Sequence, residues 1–237
     1  MSSKRIAKLR TSALAALQAF LGARAALPAG DAAKLWTGLY YALWMTDRPR
    51  PQQALAAALA DLLFVLRAGC AAPWLRAFWA VLSTQWPRVD ALRMDKFLLL
   101  VRRVFAATAR WVKQRAYQGA EVAAVVDVLR EACFDVDEER AVALGLRLHV
   151  LDLWVDELER EAVLAAAEDA EVDAARETFV RAVGDMVEAL RRSPVRSVRE
   201  RAKEGCEDGR LPWGARPGEE DEMAEDEEGE GWGGIED

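Results

Sequence analysis

Residues 74–103, WLRAFWAVLSTQWPRVDALRMDKFLLLVRR, combine the densest apolar stripe of the chain with regularly interleaved charge. A helical period separates the two onto different faces. Leu75, Phe78, Trp79, Leu82 and Trp86 recur at spacings of three and four, which predicts one buried helix face. Pro87 stops that helix, and Asp90 stands where a second helix needs an N-cap. The second helix is expected to turn Leu92, Phe97, Leu98, Leu100, Val101, Val104 and Phe105 inward and Arg93, Asp95, Lys96, Arg102 and Arg103 outward. On pattern alone this is a buried helical hairpin with a solvated charged face, which specifies architecture and no chemistry.

The rest of the chain repeats the theme. Residues 4–21 carry Ile6, Leu9, Leu14, Leu17 and Leu21 at helical spacing, with Lys4, Arg5, Lys8 and Arg10 on the outer face. Cations in a first helical turn oppose the helix dipole, so these either solubilise the chain or face a polyanion. Asp31 is positioned to cap a helix over 31–45 carrying Leu35, Trp36, Leu39, Tyr40, Leu43 and Trp44, with Trp36 and Trp44 read as core. Asp47-Arg48-Pro49-Arg50-Pro51 makes a rigid corner before a helix over 50–68, and Gly69 marks its end.

The helix from Asp90 is expected to reach about Arg115, adding Arg110, Lys113 and Arg115 to a basic string. Helices follow over 120–134, 138–164 and 172–192. Val122 to Val128 is rich in β-branched residues, but no second strand exists to pair with it, so a helix is expected there too. Arg191, Arg192, Arg196, Arg199, Arg201 and Lys203 form a basic segment that is either an RNA-contacting or import helix or a solvated face. The expected fold is all-α: an irregular, HEAT-like stack of antiparallel helix pairs, 4–21 with 31–45, 50–68 with 72–86, and 90–115 with 120–134. The predicted domain spans 1–205, followed by an acidic tail over 206–237, with residues 212–237 expected to be disordered.

Charge has to be read by region. Eleven of the 39 acids lie in 217–237, which holds no base, and the remainder carries 28 acids against 32 bases. The helical body is therefore mildly basic and the acidity belongs to the tail. There is no run of 18 apolar residues and no recognisable leader, so an intracellular, soluble protein without a membrane span is expected. Cys70, Cys133 and Cys206 are scattered and lack metal-ligand spacing, so they are read as core thiols in a reducing compartment.

His149 is the only histidine and stands between apolar neighbours, which suits a packed residue better than a general base. The chain has no P-loop, no dinucleotide fingerprint, no H-E-x-x-H and no G-x-S-x-G. Neither a cofactor nor a small-molecule substrate is expected. Asp90 and Asp95 are better explained as a cap and a salt-bridge partner of Arg93 or Arg102 than as metal ligands.

The order of residues carries more than their period. WLRAFW, then W-x-x-x-D-x-L-R-x-D-K-F, then LLVRR over 74–103, together with LWTGLYYALWMTDRP over 35–49, resembles the ribosomal RNA-processing protein 1 family. Two such blocks in order are far more specific than either alone, and the likeness extends over roughly residues 4–205. The resemblance implies a nucleolar, non-catalytic assembly factor of the early large-subunit precursor, needed for pre-rRNA processing. Its partners would be large-subunit pre-rRNA, other assembly factors and ribosomal proteins. Arg48, Arg88, Arg93, Lys96, Arg102 and Arg103, inside or beside the matched blocks, are the candidate RNA or partner contacts. The alternative is a helical protein scaffold without direct RNA contact.

Overall fold

The computed structural model describes residues 3–140 and 142–214. Its helices are α1 (Ser3–Ala23), α2 (Ala29–Trp44), α3 (Pro49–Asp61), α4 (Ala71–Gln85), α5 (Ala91–Lys113), α6 (Ala120–Val128), α7 (Leu144–Arg160), α8 (Ala170–Ala189) and α9 (Arg196–Cys206). No strand occurs among the described residues, so the all-α expectation holds, including over the β-branched run at 122–128.

Several helix starts follow directly from the sequence. The Asp90 carboxylate accepts the Arg93 backbone N–H at 3.1 Å, and Asp169 accepts the N–H groups of Glu171 and Val172 at 3.0 and 2.9 Å. Pro49 occupies the first position of α3 after an extended Arg48. Two boundaries differ from expectation. Helix α2 begins before Asp31, with Pro28 at the cap position, so Asp31 sits in the first turn as a dipole partner. Helix α7 begins only at Leu144, because Asp135, itself in the left-handed region at φ 51°, accepts the N–H groups of Arg140 and Val142 and keeps both outside the helix.

The stack has two layers. Helix α2 packs against α4 and α4 against α6, while α3, α5, α7 and α9 pack in series beside them. The main contacts are therefore between next-but-one helices, and the sequence-neighbour pairings proposed above are not the principal ones. Each helix of such a stack buries its apolar face largely against its own layer, and sequence neighbours meet across the seam. One continuous core runs from Leu21 to Leu211, with Trp74, Trp79, Trp111 and Trp154 fully buried.

The folded body also passes the predicted limit at 205. Leu211 is buried, and Trp213 lies against Gly184 while donating its indole N–H to the Cys206 carbonyl at 3.2 Å. Residues 215–237, which hold the acidic run, lie outside the described residues.

Glycine sets close helix packing at two further places. A Cβ on Gly205 would stand 2.7 Å from Trp154 Nε1, and one on Gly145 equally close to Trp86 Nε1. Alanine is the better helix former, but Trp154 is fully buried and has nowhere to go. Gly205→Ala is accordingly expected to destabilise the fold by about 1–3 kcal/mol. Urea unfolding measures this, and a stabilised variant would show that the ring has room to move.

Candidate nucleic-acid interface

The two sequence blocks singled out above meet at one corner. Helix α2 ends at Trp44, and its last carbonyls would be orphaned there. Lys96, from the first half of α5, donates its ammonium to the carbonyls of Trp44 at 2.6 Å and Thr46 at 3.0 Å. Gln52 donates to the same Thr46 oxygen at 2.7 Å. A cation at a helix C-terminus is favoured by the dipole as well as by the hydrogen bonds. Lys96 is only 4% exposed, and burial lowers its pKa, opposed by the charge of Asp47. It is a strut between α2 and α5 and is not available to a phosphate, which corrects its assignment as a surface contact.

The signature aromatics are the core of this corner. Trp36 donates its indole N–H to the Trp74 carbonyl at 3.0 Å, and its ring lies 4.7 Å from Trp74 and 4.8 Å from Phe78. Tyr40 stacks on Phe97 with centroids 4.6 Å apart. Tyr41 is exposed and Trp44 half-buried, with the guanidinium of Arg93 over the Trp44 ring at 4.7 Å.

The other candidates divide by what they touch. Arg93 also pairs with the capping Asp90, so it is largely engaged within the corner. Arg102 binds Glu157 of α7, a carboxylate 1% exposed that also receives Arg160 at 2.9 Å. It is therefore an interhelix tie, and Asp95 is partner to neither arginine. Arg48, Arg88 and Arg103 are exposed and form no ion pair among the described residues. Arg48 sits in the α2–α3 turn and Arg88 in the α4–α5 turn, whereas Arg103 lies on the outer face of α5, about 18 Å along it from the corner.

These turns form one edge of the stack. The Ser83 hydroxyl accepts the Ala143 N–H at 2.8 Å, tying the 135–143 turn to the end of α4, and Ser193 donates to Glu138 at 2.6 Å from the turn beyond.

Comparison with known proteins decides the family. The family described as "Nucleolar protein, Nop52" matches residues 3–233. The chain belongs to the Nop52 family. Its relatives include "Ribosomal RNA processing protein 1 homolog A" of Mus musculus, 29% identical over 155 residues, 63% of this chain and 31% of that protein. The Drosophila melanogaster "Ribosomal RNA processing protein 1 homolog" is 32% identical over 134 residues, 56% of this chain and 19% of the relative. Homolog B of Homo sapiens is 28% identical over 128 residues, 54% and 17% respectively. The chain thus spans less than a third of the length of these relatives, and the resemblance read from 35–49 and 74–103 is to this family.

Within this Nop52-family fold, most of the remaining basic residues are spent internally. Arg110 pairs with Asp61 at 2.8 Å, Lys113 donates to the α7 C-terminal carbonyls of Glu161 and Ala162, and Arg115 lies over Trp111. In the C-terminal basic segment, Arg191 pairs with Glu188, Arg196 with Glu200 and Arg201 with Asp152, while Arg199 caps the carbonyls of Ser193 and Pro194. That segment is mostly neutralised, which leaves the solvated-face reading. The basic face of α1 lies among side chains outside the described set.

His149 contacts the Leu98 carbonyl at 3.0 Å, and burial lowers its pKa, so it serves as a link between α7 and α5. Burial pushes the Cys133 thiol well up and the Cys206 thiol to about 12, which makes both poor nucleophiles.

Sequence pattern missed two exposed apolar residues at the edge. Leu92, expected inside, is 94% exposed at the start of α5, and Met45 is 74% exposed at the end of α2. Leu92 lies one turn before Lys96 on the same helix face, so its exposure follows from α5 starting beyond the end of α2.

Two substitutions separate structural from surface arginine. Arg102→Glu, facing buried Glu157, is expected to lose about 3 kcal/mol of stability, while Arg103→Glu stays within about 0.5 kcal/mol of the parent. Lys96→Met, which orphans the Trp44 carbonyl and leaves Thr46 with Gln52 alone, is expected to lose about 2 kcal/mol, a fall in Tm of roughly 4–8 °C. Calorimetry on the three variants checks the order.

Proposed function

We propose that this chain is a non-catalytic ribosome biogenesis factor of the nucleolus, needed for pre-rRNA processing on the early large-subunit precursor. Its role is to hold rRNA and neighbouring assembly factors in register on the rigid stack. The observation that supports the RNA contact is that Arg48 and Arg88, both beside the matched sequence blocks, stand exposed and without an ion pair among the described residues on consecutive turns of one edge, whereas most cations of the body are ion-paired or buried. Unpaired guanidiniums on a rigid edge neutralise phosphates without first breaking an internal bond. Arg103 supplies a further unpaired charge on the outer face of α5. Membership of the Nop52 family and the names of the relatives support the pathway.

A protein-only scaffold is the second reading, and the exposed Leu92 and Met45 favour it, because an aliphatic pair at a rigid corner suits a partner protein better than a phosphate. Salt distinguishes the two. With large-subunit precursor RNA, Arg48→Ala combined with Arg88→Ala is expected to lower the slope of log K against log salt by about 1.5 without altering the fold. An unchanged slope, with binding of assembly factors lost in a Leu92→Ser and Met45→Ser variant, would establish the protein-only reading instead.

A further inference from the structure

Helix α6 carries too little charge for a surface helix. Its nine residues hold two charges, Glu121 and Asp127, and Ala123, Ala124 and Val126 are exposed or half-buried where a polar face is ordinarily turned to water. One side of α6 packs on α4, but α8 packs chiefly against α9 and residues 129–134. A groove of about 480 Å³ is left between α6 and α8. Helix α6 contributes Ala123, Val126 and Asp127 to it and α8 contributes Ala175, Thr178 and Ala182, each of them open to solvent at least in part. The buried rings of Tyr117 and Phe179, 5.7 Å apart, lie at the bottom.

The chemistry of these walls selects an occupant. Small side chains on both sides leave room for one large flat ring. Asp127 is the single charged residue of the lining and can only accept hydrogen bonds, while the Thr178 hydroxyl is already given to the Ala174 carbonyl at 2.9 Å. A ring that carries an N–H fits both features, and an indole is such a ring.

The onward course of the chain supplies one. Trp213 sits against Gly184 of α8, so the segment after Gly214 starts beside the helix that walls the groove. Thr178 is about 9 Å along α8 from Gly184, and residues 215–232 can span up to about 60 Å. Within the acidic run that follows, GWGGI over 231–235 is a stretch of five residues without charge, and it holds Trp232 and Ile235. Acids flank it on both sides, Glu228 and Glu230 before and Glu236 and Asp237 after. Cations are placed to meet them: Arg130, one turn past Val126, and Arg181, beside Trp213, are exposed and form no ion pair among the described residues. Asp185 shares the hollow with Arg181, so charge orients the segment and the ring holds it. A tethered segment is presented at roughly millimolar effective concentration, so a contact too weak to recruit a separate protein still fills the groove.

We propose that the groove between α6 and α8 is the intramolecular seat of residues 231–235, with the Trp232 ring between Ala123 and Thr178 and its N–H on Asp127. Anchored by Trp213 at one end and Trp232 at the other, the acidic run is closed into a loop on the body. No residue of this seat belongs to the Arg48 and Arg88 edge, so it stands whether or not that edge binds RNA.

The test uses the full chain labelled with 5-fluorotryptophan, with the Trp232 resonance assigned from Trp232→Phe. In the parent this resonance is expected to differ from that of a free peptide of residues 226–237 and to be independent of protein concentration. Ala123→Glu combined with Thr178→Glu, both at exposed positions, is expected to return it to the peptide position while the Trp36 and Trp74 resonances stay in place. Thr178→Glu alone serves if the pair does not fold. Added in trans, the peptide is expected to bind the Trp232→Ala chain at least about tenfold more tightly than the parent, whose own segment competes.

A parent resonance already at the peptide position overturns the proposal, as does a displaced one that the groove variants leave unmoved. Displacement that disappears on dilution gives the groove to a second copy and overturns the intramolecular seat. Equal peptide affinity for the parent and the Trp232→Ala chain overturns it as well.

Discussion

Lys96 joins the two halves of the corner on which the first part of the stack is built. Its ammonium ends α2 by taking the carbonyls of Trp44 and Thr46, and its backbone belongs to α5, so one side chain sets the distance between helices from different repeats. Burying an ammonium is costly unless its protons are satisfied. Here two carbonyls at the negative end of a helix satisfy them, and a second donor, Gln52, fixes the Thr46 carbonyl in place. With that bond made, Phe97 reaches Tyr40, Arg93 covers Trp44, and Leu92 is carried past the end of α2 into solvent.

The same physics explains why a mildly basic body does not present a uniformly basic surface. Helices rich in both arginine and glutamate pair wherever two layers meet, as Arg102 does with Glu157 and Arg201 with Asp152. Pairs of this kind tie helices in register while removing the cations from competition for an outside anion. Among the described residues, Arg48 and Arg88 stay unpaired at turns, where no opposing helix supplies a carboxylate. They leave uncompensated charge on that edge of the stack, while Arg103 and Arg181 carry it on helix faces.

Much of this was legible from residue order. Helical period gave the all-α class, the Asp90 cap and the core placement of Trp36, Phe78 and Trp79, because each depends on neighbours within a few turns. Lys96 was not legible as a buried strut: its period places it on the charged face, and only the position of the α2 terminus, fifty residues away, turns that face inward. Leu92 failed for the mirrored reason, being apolar by pattern but lying beyond the element that would have covered it. The layer order of the helices was hidden as well, since short connections suggest pairing between neighbours and say nothing about same-layer packing. A signal that was present and went unread is glycine within helices. Gly145 and Gly205 are each a socket for a tryptophan ring, and a glycine inside a helical pattern points to close packing of that kind.

Stacking of turns also couples the parts of the edge mechanically. The Ser83 hydroxyl holds the loop before α7, Trp86 rests on Gly145 beside it, and Glu138 of the same loop receives Ser193 from the next turn while pairing with Arg147. Because each bond crosses from one repeat to the next, a displacement at one turn is passed along the edge rather than absorbed by a flexible connection. Short turns held by side-chain bonds cost little entropy when a ligand binds, since they are already ordered. A scaffold that must keep separate segments of a polyanion at fixed spacing needs this property more than it needs many charges. Two or three guanidiniums on a rigid edge define a spacing, whereas a larger number on mobile side chains supplies attraction without register.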